Sequence, residues 1–329
     1  TQRLTNLGEP RPIGHTGDLR AVATDRGIAF FATDGPSGNE LWVSDGTAAG
    51  TRVVDACVGP CDGVDQFLAP APGFHRGRVY WSVDAEVGAG VELFVSDALG
   101  GGLERLGNLC SGPCNLPYRF LTGAGPRVYF MASEGGHRSL WRTSGTAAST
   151  ARLNQFDDTF HEGRLVALGG NLLFANFRMA TGAELWVSNG RANGTRLLRD
   201  FAPGDFGGSM PRNFMASANR AFFFADDGVH GPNQLWTSDG TATGTRFVTS
   251  LPEPQFGSSM GSWKAAGNRV VFLLDQMLWA SDGTTAGTRS LLPAESQVRS
   301  FQLTAIGSRV YFVAQQGSES APWVTDGTV

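Results

Sequence analysis

Short runs of β-favouring residues, such as Val128-Tyr129-Phe130, Val270-Val271-Phe272 and Val310-Tyr311-Phe312, recur along the chain. Turns rich in Gly, Asn and Asp separate them, for example Gly267-Asn268-Arg269. This pattern predicts strands joined by tight turns. One segment returns at intervals: Glu40-Leu41-Trp42-Val43-Ser44-Asp45-Gly46-Thr47, followed by Gly50-Thr51-Arg52. Its aromatic position recurs as Phe94, Trp141, Trp186, Trp236, Trp279 and Trp323, and a second aromatic series precedes it at Phe30, Trp81, Phe130, Phe174, Phe223, Phe272 and Phe312. The spacing, roughly 47 residues, divides the chain into seven units. Each unit holds a small-residue strand such as Leu165-Val166-Ala167-Leu168, the aromatic strand, the Leu-Trp strand and a strand after Gly-Thr such as Thr195-Arg196-Leu197-Leu198. Four short strands repeated seven times predict an all-β fold, a seven-bladed β-propeller of four-stranded blades, with 1–329 forming one domain.

Blade stacking explains the pattern. Aromatic side chains fill the wedge that widens outward between blades, and small residues suit the crowded axis. Trp42 and its equivalents are therefore expected in the core, and Asp-Gly-Thr is expected as a structural turn, with Asp accepting backbone N–H groups and Gly free to take positive φ. The last unit stops at Asp326-Gly327-Thr328-Val329, while Thr1-Gln2-Arg3-Leu4 reads as a fourth strand. The N-terminal strand, within residues 1–10, is expected to complete the C-terminal blade and cover both sheet edges.

Composition changes the picture in three ways. Glycine, 45 of 329 residues, is abundant without a collagen-like period, and 10% aromatic content argues for a packed fold. A net charge of −4, with Lys264 the single lysine, argues against nucleic-acid binding. No apolar run approaches the roughly 18 residues of a membrane-spanning helix, and the first residues resemble no signal or transit peptide. The chain is expected to be soluble, already processed and monomeric.

The segments around Trp42, Trp186 (Glu184-Leu185-Trp186-Val187-Ser188-Asn189-Gly190) and Trp236 (Gln234-Leu235-Trp236-Thr237-Ser238-Asp239-Gly240-Thr241) closely resemble the signature of the bacterial ELWxxDGT-repeat β-propeller proteins. Further matches are Ala225-Asp226-Asp227-Gly228-Val229-His230-Gly231 and Asp200-Phe201-Ala202-Pro203-Gly204. The resemblance spans the chain and implies a secreted or cell-surface propeller. It implies no particular activity. Phe94, Ser144, Asn189, Arg191 and Pro322 depart from the signature, and none of them creates a recognisable site.

Two copies of one cysteine pattern, Cys57-Val58-Gly59-Pro60-Cys61 and Cys110-Ser111-Gly112-Pro113-Cys114, fall in equivalent connections. Their Gly-Pro centres favour local disulfides, Cys57 with Cys61 and Cys110 with Cys114, and hence an oxidising compartment; a four-cysteine zinc site is the alternative. The longer, more variable connections share one face with the turns joining the middle strands, and that face carries Asp62, Asp65, Asp84, Glu86, Glu134, Asp157, Asp158, Glu162, Asp205, Asp226 and Asp227. Opposite them lie turns carrying Arg26, Arg76, Arg78, Arg127, Arg220, Arg269 and Arg309. Loop aromatics Phe156, Phe160, Phe206 and Phe256, with Tyr118 and His161, offer stacking surfaces for a sugar or anchors for a protein, unless they cover blade ends. Gly257-Ser258-Ser259-Met260-Gly261 has the GxSxG spacing in the wrong context, and His161-Glu162 lacks the second histidine of a zinc protease. Paired Asp157-Asp158 and Asp226-Asp227 suit Ca²⁺, though solvated carboxylates also read this way. The favoured function is a non-catalytic extracellular scaffold that binds a glycan or protein through Asp62, Asp65, Tyr118, Asp157, Asp158, Phe160, His161, Phe206 and Phe256, with no cofactor required. The second reading is a secreted hydrolase or lyase with an acidic active site over the central channel.

Overall fold

A computed structural model describes residues 21–33, 39–56, 72–84, 91–108, 119–134, 137–156, 165–204, 207–231, 233–252, 262–292 and 299–328. These residues fold as seven antiparallel sheets with the strands of each in chain order, six of four strands and one of three. The expectation of an all-β chain of seven blade-like units is met, with one short 3-10 turn, Ala147–Ser149, among the described residues.

The chain divides into two compact units. The first is Thr1–Thr159 with Gly190–Asn193, and the second is Phe160–Asn189 with Gly194–Val329. The first unit holds sheet one (Ala21–Thr24, Gly27–Thr33, Asn39–Ser44, Arg52–Val54), sheet two (Gly73–His75, Arg78–Asp84, Val91–Asp97, Glu104–Asn108) and sheet three (Arg119–Ala124, Arg127–Glu134, His137–Thr143, Ala151–Gln155). The second holds sheet four (Val166–Leu168, Asn171–Arg178, Gly182–Ser188, Thr195–Arg199), sheet five (Arg212–Ser217, Arg220–Phe224, Gln234–Ser238, Arg246–Ser250), sheet six (Trp263–Ala266, Arg269–Leu274, Met277–Ser281, Arg289–Ser290) and the three-stranded sheet seven (Arg299–Ile306, Arg309–Gln316, Glu319–Thr325). Within each unit the first strands of successive sheets lie beside one another. This is how propeller blades stack.

The two aromatic series are direct cross-strand partners. Phe30 faces Trp42, Trp81 faces Phe94, Phe130 faces Trp141, Phe174 faces Trp186, Phe223 faces Trp236, Phe272 faces Trp279 and Phe312 faces Trp323. Opposed residues in an antiparallel pair share a face, and in sheets two, three, five and six this two-ring plate packs on the preceding sheet. Apolar clusters thus form between successive sheets within each compact unit. Leu198, Phe201, Phe214, Phe223 and Trp236 join sheets four and five, and Val43, Val54, Val79, Trp81 and Phe94 join sheets one and two. In sheets two to five the pairing of third and fourth strands slips by a residue just before the aromatic position, at Leu93/Phe94, Leu140/Trp141, Leu185/Trp186 and Leu235/Trp236. Such a bulge adds local twist.

Burial of the repeated tryptophan is uneven. Trp42, Trp186 and Trp236 are buried, Trp141 and Trp279 are partly buried, and Trp323 is 45% exposed. The expectation that all equivalents are core therefore fails at Trp323. Among the described residues no fourth strand lies against Glu319–Thr325 in its sheet.

Arginines stitch successive sheets together. Arg52 Nε donates to Leu99 O at 2.7 Å, Arg78 Nη1 to Gly145 O at 2.6 Å and Arg199 Nη1 to Thr245 O at 2.8 Å, and Arg142 likewise bonds Gly190 O. Arg78, expected on the face that the Asp-Gly-Thr-type turns share, is committed to the carbonyl of one such turn. A guanidinium reaches such a carbonyl with directed donors and stays charged, which fits a chain that uses arginine almost exclusively. Among the described residues no helix is long and apolar enough to cross a membrane.

Candidate functional site

The repeated Asp-Gly-Thr segment is the most conspicuous array of carboxylates, and its hydrogen bonds show that it is a closed turn. Thr47 donates its N–H and its hydroxyl to Asp45 Oδ1 at 2.9 and 2.7 Å, and the Gly50 N–H reaches Thr47 Oγ1 at 2.9 Å. Thr51 donates to Thr47 O at 2.7 Å, and the Ser44 and Thr51 hydroxyls meet at 2.7 Å. Residues 238–245 and 281–288 repeat this network. Gly46, Gly240 and Gly283 take φ of +90°, +89° and +86° at the turn apex. A second glycine is required for space, since a Cβ on Gly50 or Gly244 would lie 2.0 Å from the Asp45 or Asp239 carboxylate. The Thr hydroxyl, then the Thr N–H, holds Asp45, Asp239 and Asp326 below the usual carboxylate range. These acids are structural, as the sequence predicts.

The acid or amide two residues before the repeated aromatic is a buried hub, a role the sequence reading did not assign. Glu184 is wholly buried and accepts from Phe201 N at 3.0 Å, Ser209 N at 2.9 Å and Ser209 Oγ at 2.6 Å. Burial pushes its carboxyl up, against the lowering effect of those hydrogen bonds. Glu40 accepts from Ala56 N, Glu92 pairs with Arg105, and Gln234 bonds Asp226 and Gly231 and accepts from the Trp236 indole at 3.1 Å. A charged side chain in a buried strand, next to Leu-Trp, was the available signal, because such a group must find partners.

Around Gln234 lies the described site with the most chemistry. The turn joining the middle strands of sheet five carries Asp226, Asp227 and His230. The Asp227 carboxylate accepts from Val229 N and His230 N, both at 3.0 Å, and from His230 Nδ1 at 2.6 Å. Burial pushes Asp227 up, but the N–H groups of His230 and Val229 and the side chains of His230 and Gln234 outweigh it and hold the carboxyl at about 2. The imidazole stacks on Phe247 with centroids 4.1 Å apart, and Ser250 Oγ donates to His230 O at 2.5 Å. An ionised carboxylate thus orients an exposed imidazole at Nδ1, an arrangement suited to proton transfer or to holding a polar ligand. Asp226 accepts from Gly228 N at 2.9 Å and Gln234 Nε2 at 3.1 Å. The Asp226 and Asp227 carboxylates thus both accept hydrogen bonds from their own turn and from its flanking strand. Among the described residues no three His, Cys, Asp or Glu side chains gather as a metal site, and no hydroxyl or thiol donates to an imidazole.

All nine ligand-binding candidates, Asp62, Asp65, Tyr118, Asp157, Asp158, Phe160, His161, Phe206 and Phe256, lie outside the described residues, as do Cys57, Cys61, Cys110, Cys114 and the GxSxG segment. Phe156 is described and is 1% exposed, so it is packing rather than a stacking surface.

No protein-family model and no curated protein matches the chain. Solved structures do. The chain is similar to a structure from a study of two prolyl endopeptidases (12% identity, TM-score 0.50, covering 92% of this chain and 49% of that one). It is also similar to Oligopeptidase B from Leishmania major (11% identity, TM-score 0.54, covering 90% of this chain and 45% of that one). A weaker likeness, TM-score 0.42, is to the β-propeller domain of the Trilobed protease from Pyrococcus furiosus, at 11% identity over 79% of this chain and 81% of that one. The chain spans about half the length of the two peptidases. At these identities the likeness is one of fold.

Proposed function

We propose that this chain is the β-propeller part of a hydrolytic system acting on peptides. The observation that carries the reading is the likeness of nine-tenths of the chain to prolyl endopeptidases and Oligopeptidase B, of which it spans about half. The reading places the work on the face of the longer connections, where Asp62, Asp65, Asp157 and Asp158 would form an acidic site over the central channel. Asp227 and His230 form an oriented acid–base pair in sheet five. The purified chain should cleave members of a peptide library, and neutralising Asp62, Asp65, Asp157 and Asp158 together should abolish turnover while the melting midpoint stays put. An intact chain that captures peptide or glycan without turnover overturns the hydrolytic reading.

That outcome belongs to a second reading, a non-catalytic scaffold recognising a glycan or protein. It is favoured by the carboxylates of the Asp-Gly-Thr turns being consumed by structure. Both readings go with membership of the ELWxxDGT-repeat proteins, a secreted or cell-surface location, a monomeric state, the two local disulfides, and Ca²⁺ binding at Asp157-Asp158 or Asp226-Asp227.

We also propose how the fold is completed. Residues 1–10 match residues 245–254 at Thr1, Thr5, Leu7, Glu9 and Pro10, and residues 246–250 form the fourth strand of sheet five. The same alignment lays Leu4 on Val248 and Leu7 on Leu251, both buried. On this reading the N-terminal strand adds beside Glu319–Thr325, sets Arg3 opposite Trp323 as Arg152 stands opposite Trp141, and closes a seven-bladed propeller.

A further inference from the structure

The turn of the fourth unit departs from its siblings at two points that together create a reactive pair. Its sequence is Ser188-Asn189-Gly190-Arg191-Ala192-Asn193-Gly194-Thr195, so it contains Asn-Gly twice. In the sibling turns the backbone N–H of the second glycine is held by a threonine hydroxyl: Gly50 by Thr47 at 2.9 Å, Gly244 by Thr241 at 2.9 Å and Gly287 by Thr284 at 3.0 Å. Arg191 occupies that threonine position, and it has no hydroxyl to offer. Asn193 is exposed and immediately precedes the Gly194 N–H, which lacks that threonine acceptor. Asn189 is placed differently, because its side chain folds over Gly194, where a Cβ would meet Asn189 Oδ1 at 1.7 Å, and its N–H donates to Gly194 O at 3.2 Å.

We propose that Asn193-Gly194 is a self-modification site, at which the chain deamidates in its folded state while Asn189-Gly190 is protected. The Gly194 nitrogen, having given its proton to hydroxide, attacks Asn193 Cγ. A C–N bond forms, the Cγ–Nδ2 bond breaks, and ammonia leaves with a proton from water. Water then opens the cyclic imide at either carbonyl, leaving aspartate or isoaspartate at 193. The net change is one water in and one ammonia out, with no oxidant or cofactor. Glycine at 194 matters because it offers no side chain to hinder the approach. The product adds a negative charge to the turn whose Gly190 carbonyl receives Arg142, and isoaspartate adds a methylene to the main chain there.

Arg191 lets one digestion separate the two sites, since trypsin places Asn189 in residues 179–191 and Asn193 in residues 192–196. The full-length chain, held folded at mildly alkaline pH and physiological temperature, should accumulate acid in residues 192–196 several-fold faster than in residues 179–191. The product should be a substrate for methylation by a protein isoaspartyl methyltransferase. In denaturant the two rates should converge. Arg191→Thr, read with another protease, should slow conversion at 193 in the folded chain and leave the denatured rate unchanged. Equal rates at 189 and 193 in the folded chain, or no conversion at 193 while the denatured control converts, would overturn the assignment.

Discussion

Asp239 and Gly244 show how closely single residues specify one turn. The carboxylate folds over the glycine Cα to reach Thr241, so a methyl group at 244 has nowhere to go. Gly244→Ala should destabilise by about 1–3 kcal/mol, the usual range for overpacking, and most of that loss should vanish in Asp239→Ala/Gly244→Ala; denaturant unfolding of the four-member cycle measures it. Asp227 makes a pH-dependent contribution. Its carboxyl is depressed from 3.8 to about 2, so the folded state favours the charged form. The stabilisation is complete above 3.8 and is lost as pH falls through about 2. The stability difference between wild type and Asp227→Asn should therefore narrow over that interval. The turn role of Asp-Gly-Thr was legible in the sequence because it depends on neighbours within eight residues. The hub role of Glu184 was not, because Ser209, its partner, lies 25 residues away and is chosen by folding.

At the scale of elements, the aromatic pairs carry the packing, and their burial ranks their cost. Trp236 is 2% exposed, meets Phe201 with centroids 4.6 Å apart and lies under the Arg199 guanidinium at 5.1 Å. Trp236→Ala should cost roughly 3–5 kcal/mol, as for a buried large-to-small change. Trp323→Ala should cost much less if its sheet stays as open as described, and a similar amount if a fourth strand covers it, so calorimetry of both variants reads the state of that sheet. The sequence displayed both aromatic series and their period, but not that they oppose each other, because cross-strand register depends on the lengths of the intervening turns. The bulges before Phe94, Trp141, Trp186 and Trp236 were equally silent, since a bulge is a backbone response to twist rather than a residue pattern.

At the scale of the whole molecule, period and composition spoke for seven units because each unit repeats the same local instructions. The candidate ligand face was legible only as a list of residues, since longer connections share no period. Removing residues 1–8 should lower the melting midpoint sharply and raise exchange of amides in Glu319–Thr325, and an unchanged midpoint would leave that edge without its proposed partner. The Asp-Gly-Thr turns carry a further consequence, one of ancestry. A turn that satisfies its own donors within eight residues survives being copied, wherever the copy lands. The arginine links are not inherited in that way, because Arg52, Arg78, Arg142 and Arg199 start from different strand positions and do not all reach the same turn atom. Copying a unit therefore transmits its turn ready-made, while each junction between neighbours has to be rebuilt by its own substitutions.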